Sequence, residues 1–300
     1  MGRILFNDGV EADLALKLKK LGVEVENTHY EGDELVEKLK TTDILVVRSA
    51  TKVRESLIDN IKGGDLKLVI RAGVGVDNID VVYAQKNGID VKNTPFASSA
   101  SVAELVLAHM FALSRFIVQA NITMRKGEWN KKSYTGSEIL GKTLGIIGMG
   151  RIGRTLAAKA SALGMKVIYS DAMGAIDLAS AYEYVELNDL YKKSDYISIH
   201  VPTTECLIGD DEINIMKDGV FLINTARGSV ISTEALLVGI HSGKVGGAGL
   251  DVFENEPKFQ QGLVNNPKIC ATPHIGASTN EAQERIADEI YEIVKETFKL

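Results

Sequence analysis

Residues 143–153, Thr143-Leu144-Gly145-Ile146-Ile147-Gly148-Met149-Gly150-Arg151-Ile152-Gly153, decide how the rest of the chain is read. A short apolar run passes directly into Gly-x-Gly-x-x-Gly, and the residues that follow have the apolar spacing of an amphipathic helix. A strand that ends in such a turn and opens a helix is the phosphate loop of a dinucleotide-binding βαβ unit. Gly148 would make the tight turn, Gly150 would let backbone approach a pyrophosphate, and Gly153 would let helix pack close to strand. The helix N-terminus at Arg151 and Ile152 would offer amides and a positive dipole to the phosphates. The bland alternative is a glycine turn before a buried helix in another doubly wound protein. A strand at Lys166 to Ser170 follows, with Asp171 at its end, 18 residues after Gly153. A carboxylate there can accept from ribose hydroxyls and would repel a 2'-phosphate, and no arginine flanks it, so the pattern predicts NAD. Taken alone, Asp171 reads equally as a strand-end cap.

Outward from this unit, further strands are expected at Tyr196 to His200, Val220 to Asn224, Gly247 to Leu250 and Ile269 to Thr272, making six with the first two. Upstream, apolar runs at Arg3 to Phe6, Val23 to Val25, Ile44 to Val47, Leu66 to Ile70 and Ile89 to Val91 alternate with amphipathic stretches such as Glu11 to Leu21 and Asp33 to Lys40. This is α/β grammar. Ser101 to Gln119 reads as one long apolar helix, Asn121 to Lys142 as a polar irregular segment holding Trp129, and Thr279 to Phe298 as a final helix returning to the first domain. The expected fold is α/β with two doubly wound parallel-sheet domains. Residues 1–93 plus 275–300 form a flavodoxin-like substrate domain, and 94–274 a Rossmann NAD-binding domain.

Composition narrows the classes further. The 300 residues are 45% hydrophobic and 25% charged, ordinary for a soluble globular protein. Lys and Arg total 34 against 40 Asp and Glu, a net charge of -6, so no basic excess marks a nucleic-acid partner. Cys206 and Cys270 have neither metal-ligand nor disulfide spacing and read as small apolar fillers in a reducing compartment, and no metal is expected. The N-terminal residues lack a signal-peptide core and no apolar run nears about 18 residues, so a cytoplasmic protein without a membrane partner is expected.

Three polar groups stand at the ends of the later strands, where doubly wound sheets place ligands. In Asn224-Thr225-Ala226-Arg227-Gly228, the arginine can offer a fixed fork to a carboxylate, although alone it would read as a surface residue. Leu250-Asp251-Val252-Phe253-Glu254-Asn255-Glu256-Pro257 holds three carboxylates, and Thr272-Pro273-His274-Ile275-Gly276-Ala277-Ser278 places a histidine among small residues. Removing a hydroxyl proton as hydride leaves an alcohol carbon suits histidine at neutral pH, and a nearby carboxylate would hold the ring and stabilise its cationic form. Alone, His274 would read more readily as a satisfied structural histidine; His29, His109, His200 and His241 lack its setting.

With Val47-Arg48-Ser49-Ala50-Thr51-Lys52-Val53, Arg71-Ala72-Gly73-Val74-Gly75-Val76-Asp77-Asn78 and Asn93-Thr94-Pro95, these segments resemble the D-isomer-specific 2-hydroxyacid dehydrogenase family over nearly the whole length. The resemblance implies that His274 is the acid/base, Glu256 rather than Glu254 its partner, and Arg227 the group that binds the substrate carboxylate and carbonyl. It further implies that Asp251 contacts the nicotinamide amide, that Thr225, Ala226 and Gly276 lie along the nicotinamide, and that His200 and Pro202 border the adenine. The loop after Pro202 is shorter than the family's usual one, which leaves the adenine side less defined.

Within the family, the likeness is greatest to members that oxidise 3-phosphoglycerate to 3-phosphohydroxypyruvate, toward serine. There Arg48, Ser49, Arg71 and Gly73 would bind phosphate and carboxylate, and Lys131 would reach across a dimer interface. Without the family, Arg48 and Arg71 read as solvated strand ends. The Asn121 to Lys142 segment suggests a dimer arm, hence a homodimer or dimer of dimers, and the chain is expected to lack the serine-binding regulatory domain of longer members. The alternatives are a reductase of glyoxylate, hydroxypyruvate or another D-2-hydroxyacid pair, and an NAD-sensing regulator akin to co-repressors of this fold.

Overall fold

A computed structural model describes residues 2–300. Two compact units emerge: residues up to Ser98 together with Ala277–Leu300, and Ser99–Gly276. The first boundary lies beyond the expected Asn93 because Thr94 N bonds Gly73 O at 3.1 Å and Arg285 Nε bonds Ala97 O at 2.7 Å. The second lies beyond His274 because the Ile275 and Gly276 amides both donate to Asp251.

In the first unit, strands β1 (Arg3–Phe6), β2 (Glu24–Glu26), β3 (Ile44–Val47), β4 (Leu68–Arg71) and β5 (Asp90–Asn93) form a parallel sheet in the order β2-β1-β3-β4-β5. That is the flavodoxin-like order. All of β3 is buried, as a parallel strand covered on both faces must be. Alternation of side chains divides the strands between two cores. Ile4, Phe6, Ile44, Val46, Leu68 and Ile70 meet Leu14, Leu18, Ile286, Ile290 and Val294. Leu5, Leu45, Val47 and Val69 meet Leu35, Leu39, Ile58 and Ala84 on the other face. Helix Asn280–Phe298 buries Ala282, Ile286, Ile290 and Val294, a four-residue stripe, and Thr279 caps its start by accepting from Ala282 N at 3.2 Å. Helices Glu55–Asn60 and Val81–Lys86 are too short for periodicity to reveal.

The second unit carries β6 (Thr143–Ile147), β7 (Lys166–Ser170), β8 (Glu183–Tyr184), β9 (Tyr196–Ile199), β10 (Val220–Asn224), β11 (Val245–Leu250) and β12 (Ile269–Ala271). Their order, β12-β11-β10-β9-β6-β7-β8, is a Rossmann sheet with the strand order reversing between β6 and β9. The expected count of six omits β8, whose two residues are too few to show alternation. Helix Ser99–Ser114 is largely apolar because it packs on this sheet, with Ala103, Val106 and Met110 in the core, while Glu104, Ala108 and Phe111 are exposed. The single helix expected to Gln119 is instead two. Ser114 Oγ turns to Met110 O at 2.6 Å and to the Tyr196 hydroxyl at 2.7 Å, and Phe116 takes a left-handed φ of 54°. The chain then bends by 64° into Ile117–Arg125, so the start of the segment expected to be irregular, from Asn121 to Arg125, is helical. No proline or glycine marks that break.

Among the described residues no single helix is long and apolar enough to cross a membrane. Cys206 is exposed rather than a filler, its thiol directed at Ile208 O, and Cys270 is half-buried.

Candidate active site

At the end of β6, Gly148 adopts φ 92°, open to glycine at little cost, and its amide donates to Ser170 O at 2.9 Å. A Cβ on Gly148 would lie 2.6 Å from His200 O, and one on Gly153 would lie 2.3 Å from Gly148 O. A Cβ on Gly150 would meet nothing within 4 Å. Two of the glycines thus serve the protein's own packing, whereas Gly150 faces open space at the mouth of helix Arg151–Ala162. Asp171 reaches back to this turn: Oδ2 accepts from Met149 N at 2.8 Å and Oδ1 from Met173 N at 2.9 Å. Across the loop, His200 Nε2 pairs with Ser198 Oγ at 2.8 Å, and burial pushes its imidazole down to about 4, leaving it neutral. Pro202 follows it at the surface. Thr225, just past β10, has a buried hydroxyl with no hydrogen-bond partner among the described residues, an oxygen that a ligand can satisfy. An open glycine mouth, a carboxylate beside it and an unsatisfied hydroxyl fit a bound dinucleotide.

Three strand ends stand level, since Asn224 pairs with Leu250 and Leu250 with Ala271. Asn224 shapes the turn after β10: its Oδ1 accepts from Ala226 N at 3.0 Å and its Nδ2 donates to Arg227 O at 2.8 Å. Gly228 then presses on the backbone of Phe253, where an added Cβ would fall 1.9 Å from the carbonyl carbon. Arg227 is thereby seated beside the loop that carries Glu256. After β11, Asp251 is 1% exposed and its carboxylate accepts three bonds: Thr272 Oγ1 at 2.6 Å, Ile275 N at 2.8 Å and Gly276 N at 2.8 Å. Its backbone O accepts from His274 N at 2.8 Å. Asp251 therefore brackets His274, which holds a left-handed φ of 54° unusual for a side-chain-bearing residue.

His274 Nδ1 meets Glu256 Oε2 at 2.6 Å, and Glu256 Oε1 accepts from Phe253 N at 2.9 Å. Burial works against the Glu256 charge, but the bonds from His274 and Phe253 N and the positive Arg227 outweigh it and hold its carboxyl below the usual range. Glu254 is occupied elsewhere, accepting from Thr233 N at 3.3 Å and Thr233 Oγ1 at 3.0 Å at the start of helix Thr233–Ser242.

In the first unit, Arg48 directly follows β3 and Arg71 ends β4, and the two strands pair Val47 with Arg71. Asp8 holds the loop after β3, accepting from Arg48 N at 2.7 Å, Thr51 N at 3.1 Å and Thr51 Oγ1 at 2.6 Å. Asn78 Nδ2 ties the same loop, donating to Arg48 O and Thr51 O, both at 2.8 Å. The Arg48 guanidinium donates to Gln283 Oε1 from the last helix. Arg71 folds over Gly73, where a Cβ would lie 1.5 Å from Arg71 Nη1. Ser49 is exposed, and Lys131 lies exposed in a short helical turn, Lys131–Ser133, of the other unit.

Residues 107–276, more than half of the chain, match the model of the D-isomer-specific 2-hydroxyacid dehydrogenase family's NAD-binding domain. The chain belongs to this family. Its second unit is the NAD-binding domain, and its activity is that of an NAD-dependent D-2-hydroxyacid dehydrogenase. It is 48% identical to a hydroxypyruvate reductase of Thermotoga maritima, over 97% of this chain and 96% of that protein. A D-3-phosphoglycerate dehydrogenase of Methanocaldococcus jannaschii is 42% identical over 100% of this chain but only 58% of its own length. The structure of a D-lactate dehydrogenase from Aquifex aeolicus complexed with NAD and lactic acid superposes with a TM-score of 0.86 at 32% identity, covering 99% of this chain and 96% of that one.

The supporting roles of several residues were not assigned from the sequence: Asp8 and Gln283, which nothing there singled out, and Asn78, His109 and Thr272, which were read without these partners. Each lies tens of residues or more from the group it supports, so spacing could not have joined them.

Proposed function

We propose that this dehydrogenase interconverts hydroxypyruvate and D-glycerate, with His274 moving the proton, Glu256 holding His274 and Arg227 binding the substrate carboxylate. The 2.6 Å contact of His274 Nδ1 with Glu256, beside Arg227 at level strand ends, carries the reading. With Nδ1 committed to Glu256, Nε2 is the nitrogen that faces substrate. In reduction the keto carbon takes the hydride and its electron pair, and the keto oxygen takes a proton from the imidazolium Nε2; oxidation reverses both. Nicotinamide, when bound, supplies or accepts that hydride. The Glu256 carboxylate stabilises the cationic ring, and the Arg227 fork fixes the carboxylate so that the carbonyl is presented in one orientation. Asp171, beside the glycine loop, favours NAD over NADP by charge.

The coextensive hydroxypyruvate reductase relative supports the three-carbon unphosphorylated substrate. Arg48 and Arg71, at the ends of adjacent strands, favour a second reading in which 3-phosphoglycerate is oxidised. Each guanidinium donates within the first unit, to Gln283 and Ala72 O, and the coextensive hydroxypyruvate reductase relative weighs more in our reading, so we rank the phosphorylated substrate second. Initial rates with NADH and hydroxypyruvate, 3-phosphohydroxypyruvate or glyoxylate test the substrate. A higher kcat/KM for the phosphorylated acid would reverse the order. His274→Ala is expected to lose about 100-fold or more in kcat, and near-normal turnover would remove the proton-transfer assignment.

A further inference from the structure

We propose that His109 and Thr272 are positioning residues for the proton-transfer loop, His109 orienting the Thr272 hydroxyl so that it and Asp251 together hold His274; this rests on the reading that His274 moves the proton. His109 lies on helix Ser99–Ser114, far in sequence from the reaction loops, and is 2% exposed. Strand β11 makes room for it: a Cβ on Gly249 would fall 2.6 Å from His109 Cβ. The imidazole ends in a polar chain, with Nε2 3.2 Å from Thr272 Oγ1, and Thr272 Oγ1 donating to Asp251 Oδ1 at 2.6 Å.

A hydroxyl has one proton to give. Asp251 takes it, so Thr272 Oγ1 must accept from His109, which fixes the Nε2–H tautomer. The other ring nitrogen, Nδ1, is then a buried acceptor and has no partner among the described residues. An unsatisfied buried nitrogen is costly, and leucine or methionine would fill the same space without it, so packing alone does not account for a histidine here. What histidine supplies is a neutral donor at a fixed point. Burial, against the opposing charge of Asp251, keeps it uncharged. With the hydroxyl locked toward Asp251, that carboxylate is set to receive Ile275 N and Gly276 N. Those two amides directly follow the left-handed backbone of His274, an unfavourable conformation for a side-chain-bearing residue that has to be imposed by its surroundings. The chain from His109 through Thr272 and Asp251 thus fixes the backbone from which the His274 ring meets Glu256.

The test compares His109→Leu, His109→Gln, Thr272→Val and Thr272→Ser with wild type in kcat, KM, NADH affinity by fluorescence titration, and Tm. Positioning predicts that His109→Leu and Thr272→Val lower kcat about tenfold while the NADH Kd stays within about twofold. Thr272→Ser keeps the hydroxyl and His109→Gln offers an amide donor, so each is expected within about threefold of wild type. The double variant His109→Leu/Thr272→Val should be no slower than Thr272→Val alone, since both interrupt one chain. Wild-type kcat in His109→Leu would overturn the proposal, as would equal losses of kcat and Tm in the leucine and glutamine variants, which would mark a packing role. His274→Ala, measured alongside, separates the two readings: inactive His274→Ala with an unaffected His109→Leu removes only the positioning role, whereas an active His274→Ala removes the proton-transfer assignment itself.

Discussion

Glu256 meets two opposed influences, burial and a ring of donors, and the donors prevail. A carboxyl whose folded pKa is lowered contributes fully above its ordinary range, and that contribution is lost only as pH falls through the lower value. Acid loss of activity at about pH 5 to 6 is therefore expected from groups other than Glu256. Glu256→Gln should lower kcat by roughly 10- to 100-fold with little change in NADH Kd, which steady-state rates and fluorescence titration would check. His200 has the opposite chemistry. Its unfolded form binds a proton below about pH 6.5, whereas the folded ring does so only near 4, so stability falls as pH drops through that window. Wild type should lose at most about 2 kcal/mol relative to His200→Gln between about pH 7.5 and 5, read from urea unfolding at the two pH values. An equal pH slope in both proteins would sink this account.

Among elements, the strand-turn-helix at 143–162 shows most clearly what local sequence can say. The residue types named the turn, but which glycine faces the ligand and which faces the protein depends on β9 lying behind it. Gly153→Ala drives a methyl into Gly148 O and is expected to lower Tm by several degrees. Gly150→Ala has room and an ordinary φ of -69°, so Tm should hold while NADH affinity falls about tenfold or more, because the methyl occupies the space the pyrophosphate needs. Equal effects on Tm from the two variants would contradict this division. The last helix was legible from its stripe, and Ile290→Ala should cost about 2 to 4 kcal/mol by opening a cavity in the first unit's core, measured by chemical denaturation. The break at Ser114 to Phe116 was not legible, since a serine that bonds Tyr196 gives no local sign that a helix ends there.

For the molecule as a whole, the assigned residues divide between two units, Arg48 and Arg71 in one and Arg227, Glu256 and His274 in the other. Under the second reading, in which 3-phosphoglycerate is the substrate, Arg48→Met should raise KM several-fold more for 3-phosphohydroxypyruvate than for hydroxypyruvate and leave NADH Kd unchanged; identical KM shifts for both acids would count against that reading. From the amino-acid sequence alone came the α/β class, most strand positions, the glycine loop with Asp171, and the three polar groups after the later strands. These are readable because period, turn chemistry and spacing are local properties of a chain. The family resemblance pointed to Glu256 over Glu254, and the tertiary structure supplied the physical reason, by putting one carboxylate on His274 and the other on Thr233. Only the tertiary structure gathered Asp251, Thr272 and His109 around the His274 backbone, and Asp8, Asn78 and Gln283 around Arg48. Those contacts join residues brought together by parallel strands with helical crossovers, and the pairing register that aligns them is a property of the folded sheet rather than of any segment.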